Sequence, residues 1–309
     1  MKALITGASG FLGPYLVRQA QKSGWQVSTV SRNPRHFPGA GIHRDNLASP
    51  ASRAEEAFKD QDLIIHAAVD YRSPERSRTM TENVVKFSAA AGNPKIIFIS
   101  SQNASFQNPG GYSLAKKQSE EFLKAHYSRW CIVRPTLIYD DSGGFLIGDL
   151  IRIAKRFRVI PLPGRGASAI QPVHAEDVAG ITFKAAALPD GTTVTVAGRD
   201  VVTLPELARG LQKNIPGSFI LTVPMGLLKL AGLLNPVIRD KVNELEQEKT
   251  LSPDLERQLS SILSAPRRGI LEDLSVIFSG EQTKSDVLRD PGVGIKKEFP
   301  VHNKPRLVK

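Results

Sequence analysis

The chain has 309 residues, 41 of them Lys or Arg and 30 Asp or Glu, which gives a net charge of +11. Its hydrophobic fraction of 41% excludes a globally disordered protein and is enough for one large α/β domain with a smaller lobe. The single cysteine, Cys131, excludes an internal disulfide bond.

The first residues predict a strand of the folded protein. The apolar run in residues 1–6 is too short for a signal peptide and stops at a glycine, so we predict a cytoplasmic protein. The longest apolar stretch, Phe219–Ile238, is interrupted by two prolines and a lysine, whereas a spanning helix needs about 20 mostly apolar residues. We therefore predict no transmembrane segment. Its Val223–Leu234 part is expected in the core of the smaller lobe, with contact to a membrane surface or a partner as the alternative.

Strands and helices alternate through the first two thirds of the chain. The predicted strands are short, apolar and often β-branched, as expected for strands buried on both faces; they are Ala3–Thr6, Val27–Ser31, Leu63–Ala68, Ile96–Ser100 and Cys131–Pro135. The predicted helices are Phe11–Ser23, Arg53–Lys59, Arg78–Ala91 and Tyr112–His126. This alternation predicts an α/β protein with a doubly wound parallel sheet of the Rossmann type.

The pattern changes after Ile138. A helix is predicted over Phe145–Phe157, followed by an irregular segment rich in Pro and Gly, and then by a strand at Thr192–Ala197. Thr203 and Glu206 have the spacing of a capping box, which predicts that a helix begins there.

Positive charge is scattered along the chain except for one cluster. Its members are Arg152, Lys155, Arg156 and Arg158. They are predicted either to form a solvated helix face or to face an anionic substrate or partner. Because no nucleic-acid-binding motif accompanies the basic residues, we predict no nucleic-acid partner. The six histidines show no metal-ligand spacing, so no metal is predicted.

Three glycines follow the first strand and open the first helix, at Gly7, Gly10 and Gly13. In that context, glycines permit a tight turn, a close approach of backbone to a pyrophosphate, and close packing of the helix. The helix N-terminus adds free N–H groups and a positive dipole end. The segment predicts a dinucleotide-binding loop, and the alternative is an ordinary glycine-rich turn.

Cofactor preference is set at the end of the second strand, where an acidic residue would bind the ribose of NAD. This chain has Arg32 there, with Arg35 close by. Because a guanidinium group suits a 2′-phosphate, we expect NADP(H) to be favoured over NAD(H). Asp45, which follows the presumed third strand, is predicted either to bind the adenine amino group or to stabilise a turn.

Tyr112 and Lys116 are four residues apart on a predicted helix and project from one face. A neighbouring ammonium group lowers the pKa of a tyrosine and lets it exchange a proton near neutral pH. Ser101 ends a strand, where open α/β sheets place their sites, and could hold a substrate carbonyl. A chance Tyr-x-x-x-Lys match is the alternative.

Together these motifs resemble the short-chain dehydrogenase/reductase superfamily, in its extended, epimerase/dehydratase-like branch. The matching segments are 6–13, 64–68, 98–101, 112–116, 133–135 and 172–178. The resemblance implies that Gly7, Gly10, Phe11 and Leu12 contact the pyrophosphate, that Ala67 and Ala68 line the adenosine side, and that Pro135 packs against the nicotinamide. It also implies a catalytic triad of Ser101, Tyr112 and Lys116.

The resemblance divides the chain into two parts. Residues 1–160, with a returning segment near 173–197, are predicted as an NAD(P)-binding Rossmann domain. Residues 198–309 are predicted as a smaller substrate lobe and tail. His174 and Asp177 are expected to orient the chain between these lobes and not to take part in the chemistry.

Only ten residues separate Ser101 from Tyr112, fewer than nucleotide-sugar epimerases usually have. Residues 170–174 are closer to an atypical branch that includes the Rossmann-fold accessory subunit of respiratory complex I, and residues 278–282 and 288–290 weakly resemble the tail of such proteins. Three functions therefore stay open: an NAD(P)(H)-dependent oxidoreductase of a small carbonyl or hydroxyl compound, a nucleotide-sugar epimerase or dehydratase, and a non-catalytic NADPH-binding structural or regulatory protein. The resemblance is compatible with a homodimer or a larger assembly.

Overall fold

A seven-stranded parallel sheet forms the centre of the molecule. The computed structural model describes residues 1–70, 73–107, 110–144, 146–164, 166, 168–234, 249–263 and 266–279. The strands of the main sheet are β1 (Lys2–Thr6), β2 (Gln26–Ser31), β3 (Gly41–Arg44), β4 (Leu63–His66), β5 (Lys95–Ile99), β6 (Trp130–Pro135) and β11 (Thr192–Val196). Their spatial order is β11-β6-β5-β4-β1-β2-β3, with parallel pairing throughout.

Ten α-helices are defined within the described residues, and some of them cover the two faces of this sheet. They are α1 (Gly13–Lys22), α2 (Glu55–Phe58), α3 (Pro74–Ala90), α4 (Gly111–His126), α5 (Leu146–Phe157), α6 (Ala175–Lys184), α7 (Leu204–Asn214), α8 (Met225–Leu234), α9 (Pro253–Ile262) and α10 (Ile270–Ser279). Helices α1 and α6 share one apolar core with one face of the sheet, and α2, α3 and α4 share a second core with the other. The prediction of a Rossmann-type α/β fold is confirmed.

Chain direction along the sheet explains where a ligand can bind. Strand β1 is hydrogen-bonded to β2 on one side and to β4 on the other, so successive crossovers leave β1 in opposite directions. In open α/β sheets, this switch point opens a crevice at the carboxyl ends of the strands. The loops after β1 and β4 both begin there.

A smaller apolar cluster lies beyond the main sheet. It contains buried residues of α5, α7, α10 and β8 (Val159–Pro163), and the partly buried Ile220 of the parallel strand β13 (Phe219–Val223) packs against it. The capping box is present, because Thr203 accepts a hydrogen bond from the Glu206 N–H while the Glu206 carboxylate accepts from Thr203. Helix α9 packs instead on β11, and its Leu259 joins the core of the main sheet. The division at residues 160 and 198 stays a prediction.

Short two-residue strands connect the irregular segments. They are β7 (Ile138–Tyr139), β9 (Ala169–Ile170), β10 (Val173–His174) and β12 (Val202–Thr203). Strand β10 pairs with β7, and β12 pairs with β9. Gln171, next to β9, is 4% exposed and its amide bonds the Gly198 carbonyl and the Leu251 N–H, so it holds the chain together inside the fold.

The prediction that the apolar stretch Val223–Leu234 lies in the core is wrong for three of its leucines, whereas Leu228 is partly buried. Leu227, Leu230 and Leu233 of α8 are 59%, 60% and 78% exposed. The apolar core of the smaller lobe is formed by α5, α7, α10 and the short strands, and α8 contributes none of its buried residues. Hydrophobicity alone cannot indicate which apolar segment finds neighbours. Within the described ranges, no helix has the length and hydrophobicity needed to cross a membrane.

Candidate functional site

The loop after β1 lies directly against the end of β4. Gly7 has a φ of +75°, and a Cβ there would lie 2.6 Å from the Ala68 nitrogen and 2.7 Å from the Ala67 carbonyl carbon. Both this conformation and this contact require glycine. Ala67 and Ala68 are only partly buried, so the structure brings these predicted cofactor residues to one edge of the crevice.

The next two glycines of the motif, Gly10 and Gly13, have different surroundings. Gly10 is exposed, and its N–H bonds the Gly7 carbonyl at 2.9 Å. Gly13 is buried, and a Cβ there would come within 2.1 Å of the Ala8 carbonyl oxygen. The third glycine is thus required by the loop's own turn and not by contact between α1 and a strand.

Phe11 and Leu12 point to different surroundings. Leu12 is 8% exposed and its side chain belongs to the core under the sheet, so only its backbone can face a phosphate. Phe11 is partly buried and lies beside Gly144, where an added Cβ would be 3.1 Å from the Phe11 ring. Gly10, Phe11 and Leu12 together surround the N-terminus of α1, where free N–H groups favour an anion.

A buried histidine joins the glycine loop to β4 and α3. His66 Nδ1 lies 2.8 Å from the Thr6 hydroxyl, and its Nε2 lies 3.1 Å from the Thr81 hydroxyl. Thr81 donates its own proton to the Ser77 carbonyl, so His66 Nε2–H donates to Thr81 and Nδ1 accepts from Thr6. The Thr6 oxygen then accepts from the Ala68 N–H at 3.2 Å. Burial, with the nearby charge of Lys116, lowers the pKa of His66 to about 3, so the ring is neutral.

The end of β2 carries the residues predicted to choose the cofactor. Arg32 is exposed, and Arg35 is partly buried with its guanidinium carbon 5.7 Å from the Phe37 ring centroid. Sequence reasoning missed Ser9, whose hydroxyl lies 3.1 Å from that of Ser31. This contact joins the glycine loop to β2. In the sequence, only the presence of a serine within the glycine motif indicated it.

The Asp45 carboxylate already has two partners in its own loop. Its Oδ1 accepts a hydrogen bond of 2.5 Å from the Ser52 hydroxyl, and its Oδ2 accepts one of 3.2 Å from the Arg53 N–H. This geometry supports the turn-stabilising alternative. Contact between Asp45 and adenine stays a prediction.

Lys116 is buried beneath the strand end that carries Ser101. It is 3% exposed, its Nζ donates a 2.6 Å hydrogen bond to the Ile99 carbonyl, and it lies 4.7 Å from the Phe98 ring centroid. Burial lowers the pKa of Lys116 to about 7, although the charge of Glu120 opposes the change. At neutral pH the amine is therefore near its titration midpoint, and is not the fully charged ammonium that the sequence argument assumed.

The other two members of the predicted triad lie at the same end of the sheet. Ser101 is the second residue after β5, and its hydroxyl accepts from the Asn103 N–H at 3.3 Å, which starts a short 3₁₀ helix. Tyr112 is the second residue of α4 and is partly buried. The helix thus presents Tyr112 one turn before Lys116, as the spacing predicts. The catalytic roles of all three stay predictions.

The ion pair between Glu120 and Arg134, called the brace below, links the elements around this triad. The Arg134 guanidinium donates to both carboxylate oxygens of Glu120, at 2.9 Å and 2.5 Å, and the Ser100 hydroxyl donates to Glu120 at 2.5 Å. Glu120 lies on α4, Ser100 follows β5, and Arg134 precedes the buried Pro135 on β6. The Glu120 carboxylate therefore links Ser100 and Arg134, which precede Ser101 and Pro135 in the chain, to the helix that carries Lys116. No group of three acidic, His or Cys side chains suited to a metal occurs among the described residues.

Comparison with known proteins adds a family match. A family model described as NAD(P)H-binding matches residues 7–150. The chain is 27% identical over 218 residues to the ceramide reductase of Caulobacter vibrioides, covering 67% of this chain and 68% of that protein. It is 28% identical over 227 residues to the mitochondrial NADH dehydrogenase [ubiquinone] 1 alpha subcomplex subunit 9 of Arabidopsis thaliana, covering 67% of this chain and 56% of the plant protein.

A solved structure supports the fold. MoeE5 in complex with UDP-glucose and NAD superposes with a TM-score of 0.70 over 90% of this chain and 98% of that chain, at 19% identity. The glycine cradle, the sheet order and these matches confirm the resemblance indicated by the motifs. Residues 7–150 match the NAD(P)H-binding family model, and the chain has a Rossmann-type fold like that of MoeE5.

Proposed function

We propose that the protein is an NADP(H)-dependent oxidoreductase of a carbonyl or hydroxyl compound. The observation that carries the proposal is the seating of Lys116 under the carboxyl end of β5, beside Ser101 and one turn from Tyr112. This end of the sheet also carries the cradle formed by Gly7, Ala67 and Ala68. The proposal therefore assigns a nucleotide site and an acid–base group to one crevice.

The cradle fits a nicotinamide dinucleotide. Gly7 lets its loop pack against Ala67 and Ala68, Gly10 is exposed, and the N-terminus of α1 offers N–H groups to a pyrophosphate. Ala67 and Ala68 would line the adenosine side, and Pro135 would pack against the nicotinamide. When bound, the cofactor supplies or accepts the hydride.

Side chains of the protein would carry out the proton transfer. In the direction of reduction, the Ser101 hydroxyl would orient the substrate carbonyl, and the Tyr112 hydroxyl would give its proton to the carbonyl oxygen as hydride reaches the carbon. The products would be an alcohol and the oxidised cofactor. Lys116, with a pKa of about 7, would bind the cofactor ribose and return a proton toward Tyr112.

Arg32 and Arg35 support a preference for the phosphorylated cofactor. Both follow β2, and Ser9 and Ser31 hold this strand end beside the glycine loop. A 2′-phosphate there would gain charge-assisted hydrogen bonds that a 2′-hydroxyl cannot make. We expect Arg32→Ala to weaken NADPH binding about tenfold, the effect of losing roughly 1.4 kcal/mol, and to leave NADH binding unchanged in calorimetric titrations.

The first experiment follows NADPH oxidation with a carbonyl-rich metabolite extract that includes long-chain keto-lipids, since one relative is a ceramide reductase. Tyr112→Phe should abolish the oxidation. Tyr127→Phe is the matched control, because Tyr127 caps the opposite end of α4 and should leave the rate unchanged.

Other outcomes would favour the two alternatives. Tight NADPH binding without Tyr112-dependent oxidation would contradict the oxidoreductase and point to a binding role, as in an assembly subunit related to the plant protein. Turnover of a nucleotide sugar without net cofactor consumption would point to an epimerase or dehydratase.

A further inference from the structure

A row of leucines projects from α8 into solvent. Leu227, Leu230 and Leu233 are 59%, 60% and 78% exposed and are spaced three residues apart. At about 100° per residue, this spacing places them within one side of the helix. Singly exposed leucines are common on protein surfaces, but an ordered stripe of them marks an interaction surface.

Exposed apolar side chains also occur on β13, which directly precedes α8 in the chain. Phe219 and Leu221 are 53% and 49% exposed, and alternate residues of a strand lie on the same face. Only Pro224 separates β13 from α8, and α8 begins against the end of β8, where a Cβ on Gly164 would lie 2.5 Å from Met225 Cγ. These residues of α8 and β13, together with Phe157 (66% exposed), are called the leucine face below.

Cationic residues predominate at the edge of the leucine face, although Asp149 on α5 pairs with Arg152 at 2.8 Å. Residues 150–164 and 215–234 contain five cationic residues and no Asp or Glu. Arg156 lies with its guanidinium carbon 5.5 Å from the Phe157 ring centroid. The Arg158 carbonyl accepts from the Phe219 N–H at 2.9 Å, so this arginine lies beside Phe219. The basic cluster that had two interpretations in the sequence therefore flanks exposed aromatic residues.

We propose that the leucine face docks onto the surface of an anionic lipid bilayer. Interfacial helices bury leucine and phenylalanine among the acyl chains while cations stay at the level of the headgroups. Exposed aliphatic side chains on a helix, with arginines at the edge and no acidic residue in these segments, match that combination. The proposal concerns attachment and is independent of turnover, so it stands or falls separately from the oxidoreductase activity.

Sedimentation with vesicles tests the proposal on the full chain. We expect binding to phosphatidylcholine vesicles that contain about 30% phosphatidylglycerol to be at least about tenfold tighter than binding to pure phosphatidylcholine. Raising NaCl from about 0.1 M to about 0.5 M should weaken it, because salt screens the charges. The double variant L227E/L230E should reduce binding by about tenfold or more.

Matched variants separate the leucine face from general surface effects. Leu271→Glu changes a leucine that is 48% exposed on α10, outside the leucine face, and should bind like the unchanged protein. R156Q/R158Q should weaken binding to anionic vesicles, whereas K22Q/K86Q, which removes two exposed charges from α1 and α3, should not.

Three results would overturn the proposal. One is the absence of binding to anionic vesicles, and another is equal loss in the Leu271→Glu and L227E/L230E proteins. The third is a dimer in light scattering that L227E/L230E converts to a monomer without any vesicle binding, which would assign the leucine face to a second copy. Far-ultraviolet circular dichroism of each variant would show whether a loss of binding is caused by unfolding.

Discussion

At the scale of single residues, Lys116 has an environment with a measurable consequence. Its pKa is lowered by burial to about 7, below the value near 10.4 expected in an unfolded chain. Below pH 7 both states carry the proton, and the folded state bears the full cost of a buried charge. Between pH 7 and 10 the unfolded chain binds more protons, so the free energy of unfolding contributed by Lys116 rises with pH.

We therefore expect Lys116→Met to be most stabilising, relative to the unchanged protein, at pH 6. The advantage should shrink toward pH 10, at a rate approaching about 1.4 kcal/mol per pH unit in the middle of that range. Urea unfolding at several pH values gives the difference, and Lys117→Met, at a partly exposed position of the same helix, is the control. Stability curves for Lys116→Met and the unchanged protein that run parallel across this range would show that Lys116 is not buried as a titrating group.

At the scale of elements, one carboxylate holds α4, β5 and β6 together. Glu120 is 2% exposed, and its two carboxylate oxygens accept hydrogen bonds from Nε and Nη2 of Arg134. Removing one member of a buried ion pair costs about 3–5 kcal/mol, and after loss of Arg134 the Glu120 carboxylate keeps the partly exposed Lys124, 3.5 Å away, as its ion-pair partner. Arg134→Met should approach that loss in urea unfolding, and Arg134→Lys should lose less because it keeps the charge but not the paired bonds.

A double variant distinguishes the brace from simple packing. E120Q/R134M removes both charges, so it should lose less than the sum of the Glu120→Gln and Arg134→Met losses. If the losses simply add, the two residues act independently and the brace does not exist. Cofactor titration of the same proteins would report whether the brace also positions Pro135.

Sequence patterns predicted the elements whose burial is dictated locally. Strands β1, β4 and β5 are continuous apolar runs because both of their faces are covered, and Tyr112 and Lys116 lie on one helix as their spacing requires. The patterns could not give pairings between distant residues, such as Lys116 with the Ile99 carbonyl or His66 with Thr81. They also failed for α8, since an apolar composition does not determine whether a neighbour is present.

At the scale of the whole molecule, Arg268 fastens the segment before α10 to the main sheet. Its guanidinium donates to Asp273 at 2.9 Å and to Asp141 at 3.1 Å, and its backbone N–H donates to Asp177 at 2.9 Å. Asp141 follows β7, while Asp177 opens α6. The cofactor-binding part and the smaller lobe therefore share one cation, in line with the orienting role expected for Asp177.

Loss of that cation should loosen the lobe before it unfolds the sheet. Arg268→Met leaves Asp273, only 7% exposed, with the Tyr139 hydroxyl as a donor but without its cation, and should cost about 2–4 kcal/mol, less than a fully buried pair because the arginine side chain is 28% exposed. Hydrogen exchange should rise in residues 266–279 while β1 and β4 stay protected. Arg257→Met is the control, since its pair with Asp254 is exposed on both sides and contributes about 0–1 kcal/mol. If hydrogen exchange rises equally in residues 266–279 and in β1 and β4, the lobe and the sheet unfold as one cooperative unit, and Arg268 does not link two parts that unfold separately.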